Sequence, residues 1–119
     1  MKPGGLAVFM DAVAPPDRAA DTHLQAVELL RDASHVRDYS VAEWLAMLGR
    51  AGFAVESVAR RRLRMVFPVW TARTAVPPAA AAAIRALQDG ASGAVRAHFA
   101  IGEDGSFDLD TATMVARAA

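Results

Sequence analysis

The chain of 119 residues contains no cysteine, and neither sign of charge is in excess. Without cysteine there is no disulfide, no thiolate metal site and no Cys nucleophile, which fits a reducing compartment such as the cytoplasm. Thirteen basic residues balance thirteen acidic ones, so no net field attracts nucleic acid or an anionic membrane. No apolar run approaches the roughly 18 residues of a membrane-spanning helix. We therefore predict a cytoplasmic protein that binds neither nucleic acid nor a membrane.

Several signatures of catalytic or binding sites are also missing. The sequence has no phosphate-cradling Gly-rich loop between a strand and a helix, and no Ser nucleophile elbow. His23, His35 and His98 lie too far apart along the sequence to indicate a metal site. The residues alone therefore predict no metal centre.

The chain does contain enough apolar sequence for one core. Hydrophobic residues make up 54% of its 119 residues, and a chain of this length is too short for two ordinary domains. We predict a single domain over residues 1–119.

The clearest local signals mark a central helix. Ser40 and Glu43 form a capping box, in which each side chain can accept the backbone N–H of the other residue. Tyr39 precedes the cap and can pack on Trp44 as a hydrophobic staple. Gly52 stands where a left-handed C-terminal cap is needed, directly before an alternating strand pattern. This helix is predicted to deliver the chain into a sheet.

Strands and further helices complete the predicted α/β arrangement. Strands are expected over residues 6–10, over residues 53–67, and near the C-terminus from Phe107 through residues 112–116. One helix capped by Asp21 is expected to end near Asp32, one to open at Pro77-Pro78 and end near Gly90, and a short one to cover residues 94–99. Trp70 and Arg73 are expected in a linker.

Asp11 ends the first predicted strand. The residues of that strand are apolar on both faces, as in a strand covered by helices on each side. Open α/β sheets bind their ligands at the carboxyl ends of strands, so Asp11 is a candidate site residue. It can also be a loop aspartate that caps a turn.

A polar connection after the first helix holds His35, Arg37 and Tyr39. As a site loop, it would supply a histidine that can shuttle a proton and an arginine that can hold an anion. As an ordinary loop, it would hold a surface histidine, an arginine paired with Asp32 or Asp38, and the tyrosine of the staple. Both interpretations remain open at this stage.

Four arginines, Arg60, Arg61, Arg62 and Arg64, lie within five residues of the second predicted strand. In isolation they look like a nucleic-acid-binding stripe. With zero net charge and no interleaved aromatic residues, we favour a solvated strand edge, where arginine discourages unwanted pairing.

The order of these segments resembles a known family. A KPGG turn at residues 2–5 precedes the first strand, DASHVRDYSVAEWLAMLGRAGF follows, and then come Val69-Trp70 with Arg73 and a final strand, TATMVARA. The series covers essentially the whole chain. It resembles the C-terminal half of a class I S-adenosylmethionine-dependent methyltransferase, of the ubiquinone and menaquinone biosynthesis type that acts on small molecules.

The resemblance implies a Rossmann-like, seven-stranded methyltransferase sheet. This chain would hold the fifth strand at residues 6–10, the sixth at residues 55–66 and the antiparallel seventh at residues 112–117, lying between them, together with their crossover helices. In the family, the cofactor is bound by segments that precede the KPGG turn. We therefore expect S-adenosylmethionine for the complete enzyme, an absent N-terminal cofactor-binding half, and no cofactor-binding residue or cofactor binding in this chain alone.

The resemblance also implies which residues face the substrate. His35 would act as a proton acceptor or orient the acceptor, and Asp11, Arg37 and Tyr39 would line the pocket of a small-molecule methyl acceptor. The predicted function is the substrate-side portion of a methyltransferase, inactive as an isolated fragment. The alternative is a free-standing, non-catalytic α/β binding or assembly module.

Without a fourth strand, the strand from Leu6 to Met10 would have one open edge. Its residues lack the Lys, Pro or bulge that discourages edge pairing. We expect either a separate N-terminal half as a partner or self-association along this edge.

Overall fold

The computed structural model describes residues 2–119 and shows an α/β fold. Its elements, in chain order, are β1 (Leu6–Ala12), α1 (Arg18–Arg31), α2 (Val41–Arg50), β2 (Phe53–Met65), α3 (Phe67–Arg73), α4 (Pro78–Gly90), α5 (Gly93–His98) and β3 (Phe107–Ala118). The strands form one sheet of order β1-β3-β2, and β3 runs antiparallel to both neighbours. The predicted fold class and the central place of the last strand are confirmed.

Helix α2 lies where the sequence placed it because both of its ends are fixed by local chemistry. Ser40 Oγ accepts the N–H of Glu43, and the Glu43 carboxylate accepts the N–H of Ser40, so the capping box is complete. The rings of Tyr39 and Trp44 meet edge to face with their centroids 6.2 Å apart, as a staple requires. Gly52 has a φ of 91°, a left-handed conformation that favours glycine.

A first core lies between α2 and one face of the sheet. Its buried members are Val13, Val41, Leu48, Ala112 and Met114. Partly buried aromatic rings, among them Phe9, Trp44 and Phe53, close its margin. This core fixes the start of α2 against the end of β1.

A second core lies among α1, α3, α4, α5 and the beginning of β3. Trp70 of α3 is 2% exposed, and its ring meets that of Phe107 edge to face with centroids 5.0 Å apart. The predicted linker at Trp70 and Arg73 is therefore wrong. Pro68 lies in the first turn of α3, where its missing N–H costs no helical hydrogen bond, so this proline begins a helix after the strand.

Helix α1 begins one turn earlier than predicted. Asp17 is its N-cap and accepts the N–H of Ala20, whereas Asp21, the predicted cap, lies in the first turn. Both aspartates precede the apolar face of the helix. The sequence did not separate them, because either spacing suits a cap.

The sheet has two different edges. Strand β2 forms one of them, as we predicted for the strand that carries the four arginines. Strand β1 forms the other, and Leu6, Val8 and Met10 on its outer face are 54%, 65% and 76% exposed. The expectation that helices cover both faces of β1 is wrong within residues 2–119, because α2 covers one face and the remaining helices pack at the Phe107 end of β3.

None of the helices in this part of the chain is both long and apolar enough to cross a lipid bilayer.

Candidate functional site

The polar connection that carries His35 lies against the carboxyl end of β1. The N–H of Ala14 donates to the carbonyl of Tyr39 at 3.0 Å, and Ala14 forms a parallel bridge with Ser40. Asp11, the last residue but one of β1, is exposed, and its Oδ1 accepts the N–H of Ala12. The structure thus brings the predicted site segments to the end of the strand where open α/β sheets bind ligands.

Gln25 of α1 determines how His35 is presented. The Gln25 amide nitrogen donates to the carbonyl of Asp38 at 2.7 Å and to Oδ1 of Asp21 at 2.9 Å, and its Oε1 accepts the N–H of Asp38 at 2.9 Å. These bonds fix which end of the amide is the oxygen. His35 Nε2 lies 2.9 Å from the same Oε1, so Nε2 carries the proton. In neutral His35, the lone pair is then on Nδ1.

Glu28 joins this site although the sequence gave no role to it. Glu28, His35 and Asp38 each place one polar atom within 4.8 Å of the others. Oε1 of Glu28 and Oδ2 of Asp38 are shielded from solvent and accept no hydrogen bond from the described residues. The sequence position of Glu28 could have indicated this role. Glu28 lies one helical turn after buried Leu24, so its carboxylate lies beside the apolar stripe of α1.

The two carboxylates hold protons more tightly than usual. Burial, reinforced by the charge of Asp38, raises the pKa of Glu28 to about 7. Burial also raises the pKa of Asp38, although the positive charge of protonated His35 opposes this shift. His35 Nε2 and Asp38 Oδ2 lie 3.9 Å apart. Glu28 can therefore exchange a proton near neutral pH.

Three ligand-type atoms this close together could also hold a cation. The sequence did not suggest this because it paired neither Glu28 nor Asp38 with His35. The hydrogen bond to Gln25 already accounts for the orientation of His35. The absence of a metal site stays a prediction.

Arg37 is held by two carboxylates. Its Nη2 lies 2.8 Å from Glu43 Oε1 and 2.9 Å from Asp21 Oδ2, and its Nε donates to Glu43 Oε2. The suggested partners Asp32 and Asp38 are wrong, because Asp21 and Glu43 project from the first turns of α1 and α2, which meet at this connection. The Arg37 hydrogen bond is the main reason why the pKa of Glu43 falls to about 2. An anionic substrate at Arg37 would have to compete with both carboxylates.

The described residues do not fit S-adenosylmethionine. A cradle for such a cofactor needs a Gly-rich turn from a strand into a helix N-terminus. The connection from β1 to α1, residues 13–17, contains two prolines and no glycine, and no glycine lies between Gly5 and Gly49. The substrate-side roles predicted for Asp11, His35, Arg37 and Tyr39 stay predictions.

Known proteins resemble this chain in sequence. No family model matches it. YafE of Escherichia coli (strain K12), named an uncharacterized protein, is 42% identical over 110 residues, which cover 92% of this chain and 53% of YafE. YcgJ of Bacillus subtilis (strain 168), named an uncharacterized methyltransferase, is 31% identical over 77 residues, which cover 65% of this chain and 30% of YcgJ.

Solved structures resemble it in fold. The structure of BH2331 from Bacillus halodurans C-125, described as a proposed methyltransferase, matches with a TM-score of 0.92 and 30% identity over 98% of this chain and 52% of that protein. The structure of YcgJ matches with a TM-score of 0.91 and 27% identity over 99% of this chain and 53% of that one. The chain thus spans about half the length of YafE and of both solved structures. Sequence and fold together confirm that the chain is similar to the C-terminal half of a methyltransferase.

Proposed function

We propose that this chain is the substrate-side part of an S-adenosylmethionine-dependent methyltransferase that acts on a small molecule. The observation that carries the proposal is the match of nearly the whole chain to half of BH2331 and half of YcgJ, which are each named or described as a methyltransferase. A polar cluster at the carboxyl end of β1 supports it, because ligands of open α/β sheets bind there.

The residues of this chain are proposed to bind the methyl acceptor and to remove its proton. S-adenosylmethionine supplies an activated methyl group, so the protein mainly aligns the acceptor, excludes water and removes a proton where the acceptor requires it. His35 Nδ1 is the proposed proton acceptor, since Gln25 holds the proton on Nε2. Asp38 Oδ2, 3.9 Å from Nε2, would stabilise the imidazolium that forms. Asp11, Tyr39 and Arg37 form the proposed pocket wall.

The cofactor site is proposed to be formed by a segment that corresponds to the part of the longer relatives that does not match this chain. YafE and both solved structures are about twice as long as the segment that they share with this chain. Strand β1 offers an unpaired edge and an exposed apolar face to such a partner segment. Pairing a strand with this edge and covering Leu6, Val8 and Met10 would complete the sheet.

The test is a calorimetric titration with S-adenosylmethionine. The titrant is added to this chain, to the part of YafE that lies outside the match, and to an equimolar mixture of the two. We expect no micromolar site in the chain alone and a saturable site in the mixture. When the Val8→Lys variant replaces the wild-type chain in the mixture, that site should be lost, because a lysine on β1 opposes pairing with the partner segment. A stoichiometric micromolar site in the isolated chain would contradict the proposal.

A second candidate is a free-standing, non-catalytic α/β binding or assembly module. The observation that favours it is that two cores are closed by residues of this chain alone, with Leu24, Ile84 and Met114 fully buried. In that case the mixture would neither associate nor bind S-adenosylmethionine, and the chain would be a monomer.

A further inference from the structure

A cavity of about 320 Å³ lies beside the carboxyl end of β1. Its apolar wall is the segment of residues 13–16, which directly follows β1. Its charged wall is the run from Arg60 to Arg62 of β2, and His98 and Asp110 complete the lining. Small-molecule sites have this composition, with apolar surface and a few convergent polar groups.

The sheet register places the arginines level with the end of β1. Asp11 of β1 and Arg60 of β2 both lie opposite Ala112 of β3, and Arg62 lies opposite Asp110. Arg60 and Arg62 are two residues apart on one strand, so they share a face of the sheet. The cavity is therefore at the ligand-binding end of β1.

The charges in the cavity do not cancel. Arg62 Nη1 donates to Asp110 Oδ1 at 2.9 Å, and Arg62 Nη2 donates to the carbonyl of His98. The one carboxylate of the lining is thus already engaged by Arg62, and its Oδ2 lies 3.3 Å from His98 Nε2 without forming a hydrogen bond. Arg60 and Arg61 make no ion pair with any residue between 2 and 119. Arg60 is thus a free cation on the same face as a second, fixed guanidinium.

We propose that this cavity takes the anionic end, a carboxylate or a phosphate, of a small and otherwise apolar molecule, the methyl acceptor. Arg60 is its direct partner, because a guanidinium binds such oxygens with two parallel hydrogen bonds. Arg62, held by Asp110, adds a fixed positive charge, and residues 13–16 contact the apolar body. Naming this molecule the methyl acceptor rests on the proposed function. Arg37, neutralised by two carboxylates, is less suited to the role.

The test uses three probes that share one ring and differ in charge: benzoate, phenyl phosphate and the neutral benzamide. Each is titrated into the ¹⁵N-labelled full chain, and amide and guanidinium shifts are followed by NMR. We expect saturable shifts at the amides of Val13 and Ala14 and at the Arg60 guanidinium with an anionic probe, and none with benzamide. The tighter of the two anions identifies the group. Arg60→Gln should weaken binding about tenfold or more. Arg50→Gln, which removes an exposed arginine at the end of α2, should leave binding unchanged.

Equal binding of benzoate, phenyl phosphate and benzamide would overturn the inference. Shifts confined to other arginines, or an Arg60→Gln variant that binds as the wild type does, would also overturn it. Arg60 is exposed, and thermal melting of Arg60→Gln checks that the variant is folded. These outcomes do not depend on S-adenosylmethionine. A negative result for anion binding in this cavity is therefore distinguishable from a negative result for the proposed methyltransferase function.

Discussion

At the scale of single residues, Gln25 links α1 to the connection that carries His35. Its amide nitrogen donates to the carbonyl of Asp38, and its amide oxygen accepts the N–H of Asp38. The same oxygen lies 2.9 Å from His35 Nε2, which makes Nε2 the donor of the ring. The sequence placed Asp11 at a strand end from local order, and the family resemblance placed His35 near it. It could not place Glu28 beside Asp38, because their contact depends on how α1 packs against the following connection.

Replacing Gln25 with Leu should release His35. The Asp38 N–H and C=O would lose their partners, which costs about 1–3 kcal/mol of unfolding free energy. The ring ¹⁵N shifts of His35 should change from one tautomer to a mixture. Thr22→Val, at an exposed position of the same helix, is the control. Unchanged His35 shifts in Gln25→Leu would contradict the assigned orientation.

Glu28 should make the stability of the protein depend on pH. Its pKa is about 7 in the folded state and near 4.5 when unperturbed, so the folded state binds the proton more tightly. The free energy of unfolding should therefore fall as pH rises from about 4.5 to about 7 and then level off. Glu28→Gln should remove the contribution of Glu28 to this dependence and be roughly 2–3 kcal/mol more stable than wild type at alkaline pH.

Urea denaturation at several pH values measures this effect. Glu56→Gln, which removes an exposed carboxylate of β2, is the matched control and should keep the wild-type slope. A Glu28→Gln variant with the wild-type slope would show that the Glu28 carboxylate is not desolvated.

At the scale of elements, the local sequence was enough to predict helix α2, whereas the segment of α3 was predicted to be a linker. The capping box, the staple and Gly52 act within a few residues, so they can be recognised in the sequence. Pro68 can end a strand or begin a helix, and only the burial of Trp70 in the second core decides between them.

Ser40→Ala should destabilise the protein by about 0.5–2 kcal/mol, because the N–H of Glu43 loses its acceptor. Trp44→Ala should cost more, since its ring packs on Phe9 and Tyr39. Because Trp44 is only partly buried, its cost should stay below the roughly 3–5 kcal/mol of a fully buried tryptophan. Denaturation midpoints measure both variants, with the exposed Ser57→Ala as control. A larger effect from Ser40→Ala would contradict this account of α2.

At the scale of the whole molecule, the chain is less compact than its length allows. Its radius of gyration is 16.0 Å, whereas a compact domain of this length would have about 13.5 Å. The two cores account for this, because one lies under α2 and the other among the remaining helices. The resemblance predicted the strand order, but the exposure of one face of β1 depends on where the other helices pack.

We propose that β1 requires a partner along its open edge. Sedimentation of the isolated chain over a range of concentrations tests this requirement, with Val8→Lys as the edge variant and Val36→Lys as the control. Val36 is 87% exposed in the connection, so its variant adds the same charge away from the edge. We predict concentration-dependent association of the wild type and of Val36→Lys, and a monomer for Val8→Lys, because lysine on an edge strand opposes pairing. A folded wild-type monomer at high micromolar concentration, indistinguishable from Val8→Lys, would contradict the claim.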